Sequence, residues 1–368
     1  MVFRPQTWKM KLSESDDACE FSPGGDGTES EAARLLDLIH ANWKAQAVAL
    51  AAELGLADLL ASGTREPTAL ASALGCHAPS LRRLLRALVS LGLCREADDG
   101  GFELTMMGAL LRTDASDSLR SWAMWWGTQV APVWAHLGHS VKTGSEARTV
   151  ATGQSGFSAV SRDPGLAARF NQALSELSRR DATAIADAYD FSAVASLVDL
   201  GGGLGDLLAT LLRRHQGMRG TLVELPHAVD LARAHLDGLG VGDRCEVVAG
   251  DFFDAVPSGA DAYVLKSVLH DWNDERAAAI LRNCRTAMSA SARLLVVEMA
   301  LPEHFEVQGQ HQNLAREDLS MMLLHGARER TMAEWRSLLE AAGLRVTRGI
   351  STHGRFTLIE AVAAERRP

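Results

Sequence analysis

From residue 197 towards the C-terminus, short apolar runs alternate with stretches whose apolar residues recur at helical spacing. The runs at 197–200, 221–224, 245–249, 262–266, 293–299, 344–350 and 356–362 read as strands, and 206–215, 227–236, 275–288 and 332–342 as helices. This alternation predicts an α/β fold with a doubly wound, mostly parallel sheet that receives ligands at the carboxyl ends of its strands. Asn273 or Asp274 is expected to cap the helix after the fourth strand.

Before about residue 190 the pattern is all helical. Residues 31–60 carry Leu35, Leu38, Ile39, Trp43, Val48, Leu50, Leu54 and Leu56, more apolar surface than one exposed helix needs, so this stretch is either core or a subunit interface. Residues 67–112 read as a helix-turn-helix with a wing, the wing turning at Gly100-Gly101. Residues 121–134 hold Trp122, Trp125, Trp126 and Trp134, four of the eight tryptophans. They form either a core helix or a wall for a flat ring. Residues 1–30 are polar and glycine- and serine-rich, and read as a mobile tail. The expected domains are therefore 31–190, helical, and 191–368, α/β.

Composition narrows the function classes. The 368 residues are 47% hydrophobic and contain no apolar run near the roughly 18 residues of a membrane span. No signal-peptide pattern opens the chain. Cys19, Cys76, Cys94, Cys245 and Cys284 are scattered without a C-x-x-C pair, which fits reduced thiols in a cytoplasmic protein rather than a disulfide frame or zinc site. The net charge of −9 disfavours a nucleic-acid partner. Arg82, Arg83 and Arg86 on the second helix of the winged module raise a DNA-binding reading, but residues 65–112 balance six arginines against five acids.

The chemistry concentrates at strand ends. The run at 197–207 is a strand, a turn of four glycines and a helix. Gly201, Gly203 and Gly205 remove side chains that would hold a ligand off the backbone. Glu224, about twenty residues on, suits a ribose diol. By spacing alone a nicotinamide dinucleotide would also fit. The acidic turn, with Asp199 and Asp206, better serves a cofactor with a positive centre than a pyrophosphate.

Four stretches, in order, then carry a resemblance. Asp199-Leu-Gly-Gly-Gly-Leu-Gly resembles the first motif of class I S-adenosylmethionine-dependent methyltransferases. Leu265-Lys266-Ser267-Val268-Leu269-His270-Asp271-Trp272-Asn273-Asp274 resembles the more specific signature of the small-molecule O-methyltransferases, and Val297-Glu298-Met299-Ala300-Leu301-Pro302 and the run from Met321 to Thr331 agree with it. The resemblance spans residues 31–362 and implies a Rossmann-like catalytic domain, a helical dimerisation and lid domain, a homodimer and S-adenosylmethionine as cofactor. It implies that Asp199, Gly201, Gly203, Gly205, Glu224, Gly250, Asp251, Phe252, Lys266 and Trp272 bind that cofactor. His270 would be the general base, oriented by Glu298 and Glu329, with no metal. Trp122, Trp125, Trp126, Phe157, Phe170, Asn171, Met321, Met322 and His325 would face an aromatic substrate. The loop His325-Gly326-Ala327-Arg328-Glu329-Arg330-Thr331 departs from the longer Asn-Pro-Gly-Gly-Lys-Glu-Arg-Thr loop of plant members, which points to the bacterial tailoring branch and a secondary metabolite.

Other readings stay open at this point. His270, Glu298 and Glu329 could be structural, or a two-carboxylate, one-histidine metal site. Some bacterial relatives, such as aclacinomycin hydroxylase, resemble the family without methylating. A ligand-sensing DNA-binding regulator is the alternative from another class.

Overall fold

The computed structural model describes residues 30–154, 160, 162–307 and 309–365. Except for Ser30, which caps the first helix by accepting from the Ala33 amide at 3.2 Å, the expected tail lies outside these residues. The chain forms two compact units, Met1–Asn42 and Trp43–Pro368. In the first, the helix Glu31–His40 buries none of its side chains.

Seven strands of the second unit make the central sheet: β3 (Ser196–Leu200), β4 (Arg219–Glu224), β5 (Cys245–Ala249), β6 (Ala262–Lys266), β7 (Arg293–Glu298), β10 (Leu344–Ser351) and β11 (Thr357–Ala363). Their order is β10-β11-β7-β6-β3-β4-β5. Strands β3 to β7 pair in parallel, while β11 runs antiparallel to both β7 and β10. A short wing, β1 (Cys94–Glu96) and β2 (Phe102–Leu104), and a two-residue pair, β8 (Ala300–Leu301) and β9 (Arg330–Thr331), complete the strands.

The parallel strands are buried on both faces, which is why they read as continuous apolar runs. Along β3, Leu197 packs into the cluster holding Leu208, Leu211 and Phe191, whereas Val198 and Leu200 point into the opposite cluster with Tyr263 and Trp335. Between β3 and β6 the winding reverses direction, so the loops after these strands diverge and leave a crevice at their carboxyl ends. Both the glycine turn and Lys266 sit there.

Helical expectations need two corrections. The stretch at 31–60 is three helices, Glu31–His40, Asn42–Glu53 and Leu56–Leu60. Gly55, at φ +65°, separates the last two because the left-handed backbone cannot continue a helix. The stretch at 121–134 is broken by a wide π turn, Trp126–Val130, between Arg120–Trp125 and Ala131–Trp134. The helix-turn-helix with its wing is present, as Pro67–Leu74, Ala78–Ser90 and the β1–β2 hairpin. Three of its arginines are engaged internally: Arg82 and Arg86 reach Glu96 at 3.2 and 3.9 Å, and Arg95 pairs with Glu103.

Gly205 starts the helix Asp206–Arg214 with φ +84°, and a Cβ there would come within 3.0 Å of Leu236 and 3.2 Å of Leu222. Strain and crowding act together. Gly205→Ala is expected to cost about 1–3 kcal/mol, read as a lower thermal unfolding temperature; unchanged stability would contradict this packing role.

Candidate active site

The crevice is an open cavity of about 1200 Å³, including its mouth. One wall is the glycine turn, Gly201 to Gly203, with Asp199 beneath it. Asp199 is 1% exposed, and neither carboxylate oxygen finds a hydrogen-bond donor among the described residues. Burial pushes it up to about 7, against the pull of Lys266. A Cβ on Gly202 would fall within 2.4–2.7 Å of that carboxylate, so only glycine lets the turn close over it. The Gly203 amide donates to Glu224 Oε1 at 2.6 Å, and the Leu225 amide to Oε2 at 3.1 Å. Burial raises Glu224 to about 7.

Other expected cofactor residues do not line this cavity. Gly205 packs on Leu222 and Leu236. The Phe252 ring comes within 3.3 Å of where a Gly201 Cβ would stand. Trp272 meets Phe253 edge-on at 4.8 Å, and the Arg276 guanidinium covers both rings. Asp251 accepts from the Phe253 amide at 2.8 Å. The cavity is thus lined by Asp199, Gly201, Gly203 and Lys266, but not by Gly205, Glu224, Gly250, Asp251, Phe252 or Trp272.

The second wall descends from β6. Lys266 ends the strand with its ammonium 5.3 Å over the Phe356 ring, and burial lowers its pKa although Asp181, Asp199 and Glu298 oppose the shift. Ser267 then takes φ +54°, an uncommon conformation for a side-chain-bearing residue, and a 3₁₀ turn, Leu269–Asp271, presents His270. Asn273 caps the next helix, Asp274–Ala287, through the Arg276 amide at 3.0 Å, as expected.

Glu298, at the end of β7 and fully buried, holds that turn. Its Oε1 accepts from the Val268 and Leu269 amides at 3.0 and 2.8 Å, while Oε2 lies 3.2 Å from His270 Nδ1. Glu329 Oε1 lies 2.9 Å from the same nitrogen. These are ion-pair distances rather than straight hydrogen bonds. With both carboxylates on Nδ1, His270 lines the cavity with Nε2 near Asp271 Oδ1 at 3.7 Å. Burial pulls the imidazolium down, but Glu298, Glu329 and Asp271 outweigh it and raise His270 well above 6.5.

Asp271 and His325 continue the polar floor. Burial lifts Asp271 to about 7, and His325 Nε2 stands 3.6 Å from its Oδ1. Burial, with the charges of Arg148 and His270, pushes His325 down to about 3, so it is neutral. Trp122, Trp125, Phe170 and Met321 form the aromatic and apolar side. Trp125 meets Phe170 at 5.1 Å. Trp122 is positioned by the buried Glu176, whose carboxylate accepts from the Ser121 and Trp122 amides at 3.1 and 2.9 Å. Trp126, Asn171 and Met322 do not line the cavity; Trp126 stands behind Trp122 at 5.9 Å. Phe157 lies outside the described residues.

Sequence reasoning missed several residues. Arg148, Asp271, Met299 and Arg355 also line the cavity. Arg330, wholly buried, donates to the carbonyls of Leu269 at 3.2 Å and Trp272 at 2.9 Å and grips Asp274 at 2.8 Å. It straps the His270 turn through its carbonyls, as Glu298 does through its amides. Asp271 and Arg330 sit inside the quoted motifs and could have been singled out. Arg148 carries no such signal.

Fold and site together define a methyltransferase: a glycine turn at the switch point of a doubly wound sheet, and a histidine–carboxylate cluster across the cavity from it. The chain belongs to the S-adenosylmethionine-dependent O-methyltransferase family, its residues 134–345 matching the O-methyltransferase domain and 36–114 the O-methyltransferase dimerisation domain. It is 40% identical to phenazine O-methyltransferase PhzM of Lysobacter antibioticus over 328 residues, covering 89% of this chain and 95% of that protein. It is likewise 40% identical to the mitomycin biosynthesis 6-O-methyltransferase of Streptomyces lavendulae over 339 residues, 90% and 95% of the two chains. Among solved structures it matches the O-methyltransferase NcsB1 from neocarzinostatin biosynthesis, in complex with S-adenosylmethionine and 2-hydroxy-5-methyl naphthoic acid. That match has 37% identity and a TM-score of 0.74, over 87% of this chain and 95% of that one. One relative transfers methyl groups to nitrogen, the 8-amino-8-demethylriboflavin N,N-dimethyltransferase of Streptomyces davaonensis, 35% identical over 80% of this chain and 85% of that protein.

Arg330→Met removes the strap and leaves the Leu269 and Trp272 carbonyls short of their donors. Urea unfolding should show a loss of roughly 1–3 kcal/mol. A variant as stable as the parent would show that the turn holds without Arg330.

Proposed function

We propose that this enzyme methylates a phenolic or enolic hydroxyl of an aromatic natural product, with His270 as general base at Nε2. The observation that carries the reading is the pair of buried carboxylates on His270 Nδ1, which commits the other nitrogen to the cavity. The donor wall fits S-adenosylmethionine: the paired oxygens of Asp199 are short of donors beneath a turn open enough for a ligand to reach the backbone, and they suit a group bearing positive charge. When bound, that cofactor supplies a methyl group already activated on a positive sulfur. Asp199, Gly201 and Gly203 would hold it, with Lys266 beside them; Gly205, Glu224, Gly250, Asp251, Phe252 and Trp272 would shape the adjoining rim.

What remains for the protein is to align the acceptor oxygen and take its proton. A phenol near pKa 10 gives its proton to an ordinary histidine, near 6.5, only at a cost of about 4.8 kcal/mol. Glu298 and Glu329 narrow that gap by stabilising the imidazolium. Trp122, Trp125, Phe170 and Met321 supply flat apolar walls for the acceptor ring. In this reading residues 31–190 serve dimerisation and cover the substrate, residues 191–368 carry the catalysis, and the homodimer forms through the N-terminal helices in the cytoplasm. Antibiotic-type secondary metabolism is the setting, as for the mitomycin and neocarzinostatin biosynthesis relatives named above.

His270, Glu298 and Glu329 each offer one ligand atom, all within 4.8 Å of one another, close enough to share a cation in place of a proton. We assign them the proton, so chelation with EDTA should leave turnover unchanged; a loss restored by added divalent metal would reverse the assignment.

His270→Ala should lower kcat about 10²–10⁴-fold while calorimetry shows unchanged S-adenosylmethionine binding. Wild-type turnover by that variant would remove His270 as the base. Because His270 must be neutral to accept a proton and its pKa is raised, activity should climb with pH through a value above 6.5. Glu329→Gln removes one raising charge, so this acid limb should move to lower pH as the plateau falls. A limb that stays in place would show that another group sets it.

A further inference from the structure

Two cations of the cavity wall share one aromatic ring. The Lys266 ammonium stands 5.3 Å from the Phe356 ring centroid and the Arg355 guanidinium 4.7 Å from it. Both residues line the cavity, as do Asp199 and the glycine turn. Arg355 comes from the hairpin between β10 and β11, outside the four motif stretches. That hairpin is held shut by the Thr352 hydroxyl, which donates to the Phe356 carbonyl at 2.8 Å. Arg355 Nε and Nη2 donate to the Asp181 carboxylate on the long helix Pro164–Ala188, Nη2 at 2.7 Å. We propose that Arg355, with Lys266, binds the carboxylate at the amino-acid end of the cofactor, while Asp199 takes the ammonium of that end. The proposal rests on the reading of this wall as the cofactor site.

Three observations support it. First, an acid and a cation of this wall face the cavity without satisfying one another. Neither Asp199 oxygen has a donor, and Lys266 makes no hydrogen bond among the described residues. Polar groups out of water and short of partners are costly, so a ligand bearing both an ammonium and a carboxylate completes the two together. Second, Arg355 is positioned by its acid rather than used up by it. Asp181 occupies the Nε and Nη2 edge of the fork, which leaves Nη1 without a partner among the described residues. A guanidinium held this way can donate to a carboxylate from its remaining edge. Third, this is the part of the cofactor wall already formed: Asp199, Lys266 and Arg355 line the cavity, whereas Glu224, Asp251, Phe252 and Trp272 do not.

Calorimetric titration of the full-length protein with S-adenosylhomocysteine, and with the same molecule lacking its carboxylate, tests the assignment. The wild type should bind the first roughly 10- to 100-fold more tightly than the second. Arg355→Gln should lose about tenfold of that preference, and Arg355→Lys, which keeps the charge without the fork, a smaller part of it. Neither variant should weaken binding of the decarboxylated ligand, which sets recognition apart from a mere hold on the hairpin or the Asp181 helix. Equal affinities in the wild type, an unchanged preference in either variant, or equal weakening of both ligands would overturn the inference. Arg355→Lys, the milder change, decides if Arg355→Gln fails to fold. The two readings fail separately. Tight cofactor binding without preference for the carboxylate, in an enzyme that methylates hydroxylated aromatics, overturns the role of Arg355 and leaves the proposed function standing. The expected preference and its loss in Arg355→Gln, with no methylation of any hydroxylated aromatic, does the reverse.

Discussion

A single buried carboxylate, Glu298, ties the sheet to the chemistry. It stands at the carboxyl end of β7, one strand over from β6, and its two oxygens act on different things. One takes the Val268 and Leu269 amides, which forces the chain after Lys266 into the tight turn that projects His270. The other faces His270 Nδ1. Burying an ionised carboxylate is costly unless donors or cations occupy its oxygens, so turn and imidazole stabilise Glu298 as much as Glu298 positions them. Arg330 closes the arrangement from outside through the Leu269 and Trp272 carbonyls.

The rest of the cavity follows from the same constraint. The reversal of winding between β3 and β6 brings the glycine turn and the His270 turn to one crevice, with Asp199 and Lys266 at its floor. Apart from His270, burial dominates the electrostatics there. Asp199, Glu224 and Asp271 are all raised to about 7, Lys266 is lowered, and His325 is held neutral. A site so thrifty with net charge responds strongly to the charge of whatever enters it.

Much of this was legible in the sequence, for physical reasons. Parallel strands buried on both faces leave uninterrupted apolar runs, and the helices between them keep their stripes, so the sheet could be read within a few residues. Asp199, Gly201, Gly203, Lys266 and His270 stand in contiguous motifs, and the structure brings them to one cavity. Glu298 and Glu329 are far apart in sequence and meet only through His270. Less legible was anything set by packing at a distance. Nothing in the spacing of the tryptophans separates Trp122 and Trp125, which face the cavity, from Trp126, displaced by the π turn. Gly205 looks like its neighbours in the turn but is there for Leu222 and Leu236. Arg148, on a short helix with no motif, becomes visible only when the helix Gly309–His325 packs beside it.

As the proposed base, His270 keeps its Nδ1 proton against the two carboxylates and exchanges protons with the acceptor at Nε2. Nitrogen-15 NMR of histidine-labelled protein with S-adenosylhomocysteine, followed across pH, reads both nitrogens directly. With His270 as the base, Nδ1 should stay protonated throughout and Nε2 should titrate above 6.5. A neutral form protonated at Nε2, or a titration at or below 6.5, would contradict it.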